Sequence, residues 1–560
     1  MATPNIPSTL GILFEHTPVL IIGGSMVGMT LSALLASHGV SGCVTVEKHH
    51  STAIHPRAAL FHPRTMQIYR ELGLYDAMRQ EAAKHYDEHA GIVNVESLAG
   101  RFLGSFMKNL NEGIESISPT MRLFLTQQMF EPILRKKVIE EGGDLRFSSE
   151  LIEFQQDADG VTALVRNTET GEETLIRSKY MVAADGNRSM VREKLGIGLD
   201  GHGLLSHSIT IYFDMDVGKY VTGKYNGVIY VNNDTVRGFF RIDKSGREGF
   251  LVINTAGERG TERSRYPADK ITDERAQEML RAAVGADIDF KITLISPWRA
   301  VCDNAERYSQ KRVLLVGDAA ATVTPHGGFG GNTGIQASHN LAWKLALVLK
   351  GQAGAGLVEQ SYHEERHPIG KKTTNQVFER YISRTAPELK STGVEIEEEV
   401  PEPHLELGYR YNSGALDTVL HTAIIEDPTS ATSSPGSIAR HVVVDIPGHA
   451  DKIPLADLFG HAFVLLTGPE GQEWASAVTD LNRETSLPEI RIYIVSGDQF
   501  CTKYGITASG AVLIRPDGFV AWREHRAAIP GHHTKGVPDP STTVQKVMRK
   551  ILYLEPLATT

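Results

Sequence analysis

"RVLLVGDAAATVTPHGGFGGNTGIQ", residues 312–336, carries the most informative pattern of the chain. Its apolar start predicts a short buried strand, Val313 to Val316, that breaks at Gly317-Asp318. Five glycines separate this strand from a helix that we expect to begin near Asn332. An acid at a strand end, followed by glycines and an amide-rich helix start, is typical of a place where the backbone approaches a large, partly anionic ligand.

Working towards the N-terminus, residues 18–48 predict a βαβ unit: a buried strand, a helix with apolar spacing, and a second strand that ends in an acid. The turn after the first strand is "GGSMVG" (23–28), in which Ser25 stands where the dinucleotide fingerprint has its second glycine. Glu47 lies 24 residues after the first glycine of this turn, near the spacing at which an acid meets ribose hydroxyls. The unit predicts nucleotide binding, with a merely structural tight turn as the alternative.

Acids follow three separate predicted strands, at Glu47, Asp185 and Asp318. Ligands of open α/β sheets bind outside the carboxyl ends of the strands, so we expect these acids to meet at one edge. Segments between residues 207 and 255 alternate or run apolar with turn residues between them, which predicts a largely antiparallel sheet. Residues 386–408, rich in Glu and Pro, predict a linker, and a further α/β unit follows it.

Composition excludes several classes of protein. A length of 560 residues exceeds one typical core, so about two to four domains are expected. The net charge of -10 argues against a nucleic acid or an anionic membrane as partner. Cys43, Cys302 and Cys501 lie far apart without a CxxC, which predicts neither a disulfide framework nor a bound metal. Because no leader-like or membrane-length apolar run is present, we expect a cytoplasmic protein.

Together, these motifs resemble the three flavin motifs of the single-component FAD-dependent aromatic hydroxylases, the monooxygenases typified by para-hydroxybenzoate and phenol hydroxylases. The resemblance covers roughly residues 17–380 and includes "HPRAALFHPRTMQIYRELGL" (55–74), "TQQMFEPIL" (126–134) and "SYHEERHPIGKK" (361–372). The tail resembles the phenol-hydroxylase group through "LGYRYNSGAL" (407–416) and "SSPGSIARHVVVD" (433–445). In that group a thioredoxin-like C-terminal domain has lost its redox cysteines, which fits the single Cys501 of this region.

The resemblance implies an α/β fold class. It comprises a Rossmann-type FAD-binding domain with an inserted, mainly antiparallel β-sheet substrate domain, plus a C-terminal thioredoxin-like α/β domain. The boundaries predicted with it are 1–200 and 301–385 for the FAD-binding domain, 201–300 for the substrate domain, 386–408 for the linker and 409–560 for a thioredoxin-like domain without CxxC.

Non-covalent FAD, with NAD(P)H as a transient co-substrate, is the cofactor that the resemblance implies. Glu47 is expected at the adenosine ribose, Asp318 at the ribityl hydroxyls and Pro325 beside the isoalloxazine. The full set of residues expected to contact FAD is Gly23, Gly24, Ser25, Gly28, Glu47, Lys48, Arg57, Gln127, Asp185, Asp318, Pro325, Gly328, Gly331, Asn332 and Thr333.

The activity implied is hydroxylation of a phenol by a flavin C4a-hydroperoxide formed with O2. The phenol should be deprotonated or hydrogen-bonded towards phenolate, and water must be excluded from the pocket. The candidate catalytic residues are Arg241, Arg237, His62 and Tyr230. Each has a plainer interpretation: a structural histidine, solvated strand positions for the arginines, and a pocket wall for Tyr230.

The apolar, aromatic composition of the predicted sheet favours a substrate larger than phenol, such as a polyketide-type or polycyclic phenol of secondary metabolism. We also expect a homodimer. Two alternatives stay open at this point: Baeyer–Villiger oxygen insertion on the same scaffold, and a non-catalytic FAD-binding module. Product mass separates the first from hydroxylation, and absence of NAD(P)H consumption would favour the second.

Overall fold

The computed structural model describes residues 13–53, 60–224, 226–254, 272–387, 390, 395–417, 420–430, 433–446, 451–484, 486–525 and 539–554. Arg57, one of the expected FAD contacts, lies outside these residues. The described part of the chain folds around three main sheets, with helices on their faces.

The strands up to residue 254 are β1 (Leu13–Ile22), β2 (Val44–Val46), β3 (Leu60–Phe61), β4 (Gly91–Val95), β5 (Phe102–Met107), β6 (Leu123–Phe124), β7 (Asp144–Arg146), β8 (Ser149–Gln156), β9 (Val161–Asn167), β10 (Glu173–Ala183), β11 (Leu199–Met215), β12 (Asn226–Asn232), β13 (Arg237–Ile242) and β14 (Glu248–Asn254). Those that follow are β15 (Phe290–Ala305), β16 (Ser309–Gln310), β17 (Val313–Leu315), β18 (Ala321–Thr322), β19 (Val443–Val444), β20 (Ile453–Pro454), β21 (Phe463–Thr467), β22 (Ile490–Ile494), β23 (Ala511–Ile514) and β24 (Val520–Glu524).

The helices are α1 (Met26–Ser37), α2 (Pro63–Glu71), α3 (Tyr75–His85), α4 (Gln127–Glu140), α5 (Met190–Lys194), α6 (Gly218–Val221), α7 (Asp273–Val284), α8 (Phe329–Leu349), α9 (Gly356–Glu359), α10 (Ser361–Arg384), α11 (Glu402–Leu407), α12 (Gln472–Glu484), α13 (Asp498–Tyr504) and α14 (Pro540–Ile551). None of these helices is both long and apolar enough to cross a membrane. Within the same described ranges, no three potential metal ligands are grouped as a metal site would require.

The first sheet contains the predicted βαβ unit. Its strand order is β16-β17-β10-β1-β2-β7. β9 pairs with the first half of β10, and β8 pairs with β9. β1 pairs in parallel with β2 and β10, and the end of β10 pairs in parallel with β17. The carboxyl ends of these strands therefore meet at one edge, followed by Glu47, Asp185 and Asp318 as predicted.

Helix α8 crosses α1 on this sheet at Gly334. A Cβ atom at Gly334 would lie 2.7 Å from Val27 Cγ2 and 2.9 Å from Gly317 Cα, so a side chain there would push the helix away. The helix begins at Phe329, three residues before the predicted start, because Gly328 adopts a left-handed φ of 74° and forms its N-cap.

The second sheet has the order β18-β15-β11-β14-β13-β12-β4-β5 and is antiparallel except for the β12–β4 pair. Helix α7 packs on one face through Met279 and Leu280, against side chains such as Ile211 and Phe240. The opposite face of the sheet lines a large cavity. β4 and β5 of this sheet come from residues 91–107, which lie inside the range 1–200 predicted for the FAD-binding domain. That range therefore contributes strands to both the first and the second sheet.

The third sheet has the order β22-β21-β23-β24, with β21 and β22 parallel and the other pairs antiparallel. Helix α12 connects β21 to β22, α13 connects β22 to β23, and α14 follows β24. This βαβαββα arrangement is thioredoxin-like. The three-part fold class predicted from the sequence is therefore confirmed.

The segment predicted as a linker contains α11. Leu405, Glu406 and Leu407 are buried, with exposed fractions of 7%, 1% and 3%. The acidic composition predicts a solvent-exposed segment, but the charge of Glu406 is neutralised in the interior by Arg122. Part of residues 386–408 is therefore an inner wall of the molecule.

Candidate active site

One continuous cavity of about 1290 Å³ runs from the carboxyl edge of the first sheet to the inner face of the second sheet. Its first half is lined by the glycine turn of residues 23–28, by Glu47 and by Asp318. Its second half is lined by side chains of β11 to β14, including Tyr212, Tyr230 and Phe239. A site of this shape can hold a long cofactor at one end and an aromatic molecule at the other.

The glycine turn brings three chain segments into close contact. Gly23 has a φ of 108°, and a Cβ there would lie 2.2 Å from the carbonyl oxygen of Ala184. A Cβ on Gly28 would lie 1.9 Å from the carbonyl oxygen of Gly23. Both positions thus require glycine, which explains the spacing in the sequence.

Glu47 closes the turn at the end of β2. Its Oε2 accepts a hydrogen bond from the amide of Gly24 at 2.8 Å, and its Oε1 accepts one from the amide of His49 at 3.0 Å. Ser25 is the N-cap of α1, and its side chain makes no capping hydrogen bond. The serine therefore takes the place of a fingerprint glycine without blocking the helix start.

A buried carboxylate that the sequence did not single out, Glu131 of α4, also lines this end. Its Oε1 accepts from the amide of Met26 at 3.2 Å and from Gln127 Nε2 at 2.9 Å, and its Oε2 accepts from the amide of Ala53 at 2.8 Å. Burial raises the pKa of Glu131, while these donors oppose the rise. Gln127 was predicted for its own contact with the cofactor, yet its amide also orients this acid.

Asp185 and Asp318 occupy the middle of the cavity edge. Asp185 Oδ2 accepts from the amide of Val191 at 3.2 Å, and burial raises the pKa of its carboxyl group. Asp318 follows β17 in a single turn of 3-10 helix and is exposed to the cavity. A Cβ on Gly330 would meet only ordinary contacts, at 3.4 Å from Val323 Cγ2 and 4.0 Å from Asp318 Oδ1, so the glycine leaves space beside the acid.

Most of the expected cofactor contacts lie on the cavity wall. These are Gly23, Gly24, Ser25, Glu47, Lys48, Gln127, Asp185, Asp318, Pro325, Gly328 and Gly331. Gly28, Asn332 and Thr333 lie behind the wall. The Asn332 side chain donates to the carbonyl oxygens of Leu60 and Gly328, at 2.9 Å and 2.7 Å, and the Thr333 carbonyl accepts from Arg366 at 3.1 Å.

Alternation along the strands of the second sheet divides its side chains between the cavity and α7. Thr210 and Tyr212, Val228 and Tyr230, Phe239 and Arg241, and Phe250 and Val252 face the cavity. Their neighbours Ile209, Ile211, Phe213 and Phe240 pack towards α7. The two sets therefore lie on opposite faces of the sheet, as the two-residue period of a strand requires.

Tyr230, a predicted catalytic candidate, lies on the cavity wall and is 8% exposed. The Arg384 guanidinium, at the end of α10, lines the same cavity, close enough for its charge to act on the tyrosine hydroxyl. Arg384 is itself held by Glu402 of α11 and by Glu399, each at 3.1 Å. Burial raises the pKa of Tyr230, and the positive charge of Arg384 acts in the opposite direction. Sequence patterns did not indicate Arg384 or Glu402, because both belong to segments far from the sheet along the chain.

The Arg241 guanidinium is enclosed by aromatic rings. Its Cζ lies 3.5 Å from the ring centroid of Phe124 and 4.3 Å from that of Tyr86. Nη1 donates to the carbonyl oxygen of Gly227, while Nε and Nη2 are buried without a hydrogen-bond partner among the described residues. Burial lowers the pKa of Arg241 to about 10. Arg241 lines the cavity, but its nitrogens lie behind the rings.

His62 and Arg237 are not on the cavity wall. His62 Nε2 lies 2.8 Å from the carbonyl oxygen of Gly327 and 3.6 Å from Glu406 Oε1, and burial lowers the pKa of its imidazole. Arg122 pairs with the same Glu406, Nη2 to Oε2 at 2.7 Å, and both line the cavity. Arg237 is the first residue of β13 and is half-buried.

The donors and spaces of the first half fit FAD. The glycine turn excludes side chains where a pyrophosphate would approach, the acids can accept from ribose and ribityl hydroxyls, and the start of α8 presents backbone amides. A dinucleotide-binding sheet and an aromatic-lined sheet that share one cavity define a class, the flavin-dependent oxidoreductases.

Comparison with known proteins identifies the family. The chain matches the family model described as FAD binding domain over residues 16–377, and the one described as Aromatic-ring hydroxylase, C-terminal, over residues 432–546. The 4-methyl-5-nitrocatechol 5-monooxygenase of Burkholderia sp is 42% identical over 555 residues, covering 96% of this chain and 98% of that protein. The tetracenomycin A2 monooxygenase-dioxygenase of Streptomyces glaucescens is 33% identical and covers 91% and 93%.

Among solved structures, the ternary complex of aklavinone-11 hydroxylase with FAD and aklavinone superposes with a TM-score of 0.87. The two sequences are 31% identical, and the match covers 96% of this chain and 99% of that one. The chain belongs to the FAD-dependent aromatic-ring hydroxylases. It is a monooxygenase with FAD as its cofactor, and NAD(P)H is the co-substrate typical of the family.

Proposed function

We propose that this protein hydroxylates a phenolic ring held against the second sheet, using NAD(P)H and O2. The continuity of the cavity carries the proposal, because it joins the glycine turn and three acids to an aromatic wall that includes Tyr230 and, beside it, Arg384. Bound FAD supplies the redox chemistry: it accepts hydride from NAD(P)H and activates O2 for transfer of one oxygen atom. The protein's own part is to position the ring, influence its proton and exclude water.

The proposed FAD contacts keep the assignment made from the sequence, with Arg57 included. Glu47 would accept from the adenosine ribose, and Asp318 from the ribityl chain. Gly28, Asn332 and Thr333 act from behind the wall, by allowing close packing or by holding the start of α8. Glu131 joins this set as the acid that fixes the Met26 and Ala53 amides.

Tyr230 is the proposed phenol-orienting residue. Its hydroxyl lies within the field of the Arg384 guanidinium, and Glu402 and Glu399 keep Arg384 in place. A phenol oxygen beside this pair would be held close to a positive charge, which favours the phenolate and enriches the ring for attack by electrophilic oxygen. Arg241 would contribute positive potential from behind the rings of Phe124 and Tyr86, whereas Arg237 and His62 are better suited to structural roles.

For the substrate, we propose a polyketide-type or polycyclic phenol. The names of the relatives from Streptomyces, and the aklavinone in the solved complex, support a large aromatic ligand. A second candidate is a single-ring alkylated nitrophenol, favoured by the 42% identity to the nitrocatechol monooxygenase. We also propose that the protein is a homodimer and works in the cytoplasm. Light scattering of the purified protein would test the dimer.

The deciding experiment measures substrate-dependent NAD(P)H oxidation over polycyclic phenols and alkylated nitrocatechols, with mass and NMR analysis of the product. A new ring hydroxyl supports the proposal, and the better substrate class distinguishes its two forms. A lactone or ester product would replace hydroxylation by Baeyer–Villiger insertion. If FAD binds but no aromatic ligand stimulates NAD(P)H oxidation, a binding module becomes the better description.

A further inference from the structure

Helix α2 connects the cofactor half of the cavity to the C-terminal domain. It follows β3 and His62, the segment that borders the cavity through Leu60. The amide of His62 donates to Asn332 Oδ1 at 2.9 Å, and the Asn332 side chain donates back to the Leu60 carbonyl at 2.9 Å. The start of α2 is thereby tied to the first turn of α8, beside the proposed isoalloxazine position.

The C-terminal domain contacts the first turn of α2 through Arg64. Arg64 is 6% exposed, and its Nη2 donates to the carbonyl oxygen of Asp517 at 2.5 Å. Its guanidinium also lies 5.7 Å from the ring centroid of Phe519. A buried charged donor on a carbonyl is among the stronger hydrogen bonds of a protein.

The same domain contacts the last turn of α2 at two positions. Arg70 makes a bidentate pair with Asp457, with Nε–Oδ1 at 2.7 Å and Nη2–Oδ2 at 2.9 Å. Glu71 Oε2 lies 2.9 Å from Nε2 of His339 in α8. The Glu71 side chain also packs against Gly460 of the C-terminal domain. A Cβ on Gly460 would lie 2.5 Å from Glu71 Cγ and Cδ, so the two backbones and the carboxylate leave no spare room.

Independent ion pairs fix the C-terminal domain to the FAD-binding domain. Arg515 donates to Glu365 of α10 and to Asp517, and Lys344 of α8 also donates to Glu365. The side chains of Arg515, Glu365 and Lys344 are fully buried, and that of Asp517 is 1% exposed. The side chains of this network come from α8, α10 and the C-terminal domain, and α2 meets it only through the backbone carbonyl of Asp517, so the ion pairs hold the domain in place without the α2 side chains.

We propose that the C-terminal domain positions the flavin-side segment of the chain by holding α2 at both ends. Arg64, Arg70 and Glu71 are the positioning residues, and they act through α2 on Leu60, His62 and the start of α8. This gives the thioredoxin-like domain a task that needs no thiol chemistry. The inference rests on the proposed FAD site at that end of the cavity.

The test compares Arg70→Met, Asp457→Asn and the double variant with the wild-type full-length protein. We expect each single change to raise the FAD dissociation constant about threefold, the scale of a partly exposed ion pair, and to increase the fraction of NAD(P)H that ends as hydrogen peroxide. The double variant should resemble the single ones, since both remove the same contact. Lys550→Met, which breaks the exposed pair with Asp417 away from α2, is the matched control and should match the wild type.

Arg64→Lys tests the other end of α2 and should weaken FAD binding about tenfold, because a lysine keeps the charge but not the reach and planar geometry of the guanidinium. Circular dichroism and the thermal midpoint of each apoprotein show whether the fold is retained. If Arg70, Asp457 and Arg64 variants bind FAD like the wild type, or if Lys550→Met has the same effect, the positioning role is wrong. If the wild type itself fails to bind FAD, the proposed function fails instead.

Discussion

Asp318 stands where the first sheet ends and the cavity begins. Its carboxylate faces the space left open by Gly330, so it is the acid best placed to accept from hydroxyls of a ribityl chain. We expect Asp318→Ala to lose most of its FAD during purification, because one or two charge-assisted hydrogen bonds of about 1.5–3 kcal/mol each are removed. The flavin absorbance per protein measures this. Asp200→Ala, which removes an exposed acid paired with Lys371, is the control, and equal FAD content in the two variants would contradict the assignment.

Tyr230 carries the prediction about the ring. Tyr230→Phe keeps the aromatic wall and removes only the hydroxyl, on which the charge of Arg384 acts. We expect FAD binding to stay as in the wild type, while turnover falls at least about tenfold and the peroxide fraction rises, since the phenolate is no longer stabilised. Steady-state NAD(P)H oxidation with determination of product and hydrogen peroxide, together with FAD titration, provides the measurement. Turnover and peroxide fraction both equal to those of the wild type would exclude Tyr230 from ring activation.

The sequence allowed residues to be placed at the cavity where a motif fixes the backbone, but not where charges meet from distant segments. The glycine turn and the three strand-end acids were found because spacing along one strand or turn determines their place. Arg384, Glu402 and Glu131 were missed, because each is brought to the cavity by helix packing. Arg241 was a candidate for binding the phenolate, with a solvated strand position as the alternative; its guanidinium is instead covered by two aromatic rings.

At the scale of elements, alanine substitutions at two glycines of α8 are expected to have different effects on stability and on FAD affinity. Gly334→Ala places a Cβ against Val27 and Gly317, so we expect a loss of about 1–3 kcal/mol in the free energy of unfolding. Gly330→Ala meets no tight contact, so its stability should match that of the wild type while its FAD affinity falls through lost space beside Asp318. Denaturant unfolding of the apoproteins and FAD titration separate the two effects. The reverse pattern would mean that α8 can shift along α1.

The elements themselves were predictable to different degrees. The four strands between residues 207 and 255 were expected and are observed, because alternation with turn residues is a local signal. The start of α8 was placed three residues late, since a left-handed glycine can be an N-cap or merely part of a loop. Helix α11 was taken for linker because burial of Glu406 depends on Arg122, which lies 284 residues away.

For the whole molecule, buried histidines make stability depend on pH. His62 and His326 are each 1% exposed, and burial lowers both of their pKa values from the ordinary 6.5, that of His326 to about 3. Below 6.5 the unfolded chain binds protons at these positions that the folded chain does not, so stability should fall as pH drops from 6.5 towards 4.

Thermal midpoints between pH 7.5 and 4.5, a range chosen to span roughly the ordinary histidine value, measure this slope. His326→Gln should be less stable at pH 7 through its lost bonds to Thr324 and Thr385, but should show a shallower decline with acid. His50→Gln, which alters an exposed imidazole, is the control and should keep the wild-type slope. A steeper decline in His326→Gln would show that this histidine is protonated in the fold.

The division of the molecule into three parts was visible in the sequence, but the connections between the parts were not. Motif order and composition indicate where one unit gives way to another. Contacts such as Arg515 with Glu365, 150 residues apart, follow from the docking of finished units and leave no local pattern.

That buried network has a consequence for recombining this chain with its relatives. Arg515 and Asp517 belong to the C-terminal domain, whereas Glu365 and Lys344 come from α10 and α8. A chimaera that joins this C-terminal domain to a foreign catalytic body without the matching acid would enclose the Arg515 guanidinium with Asp517 as its one remaining counter-charge from the network, at a cost of several kcal/mol. Viable crossovers should therefore exchange these charges as a set, and shuffled libraries made from this family should be depleted of clones in which they are split.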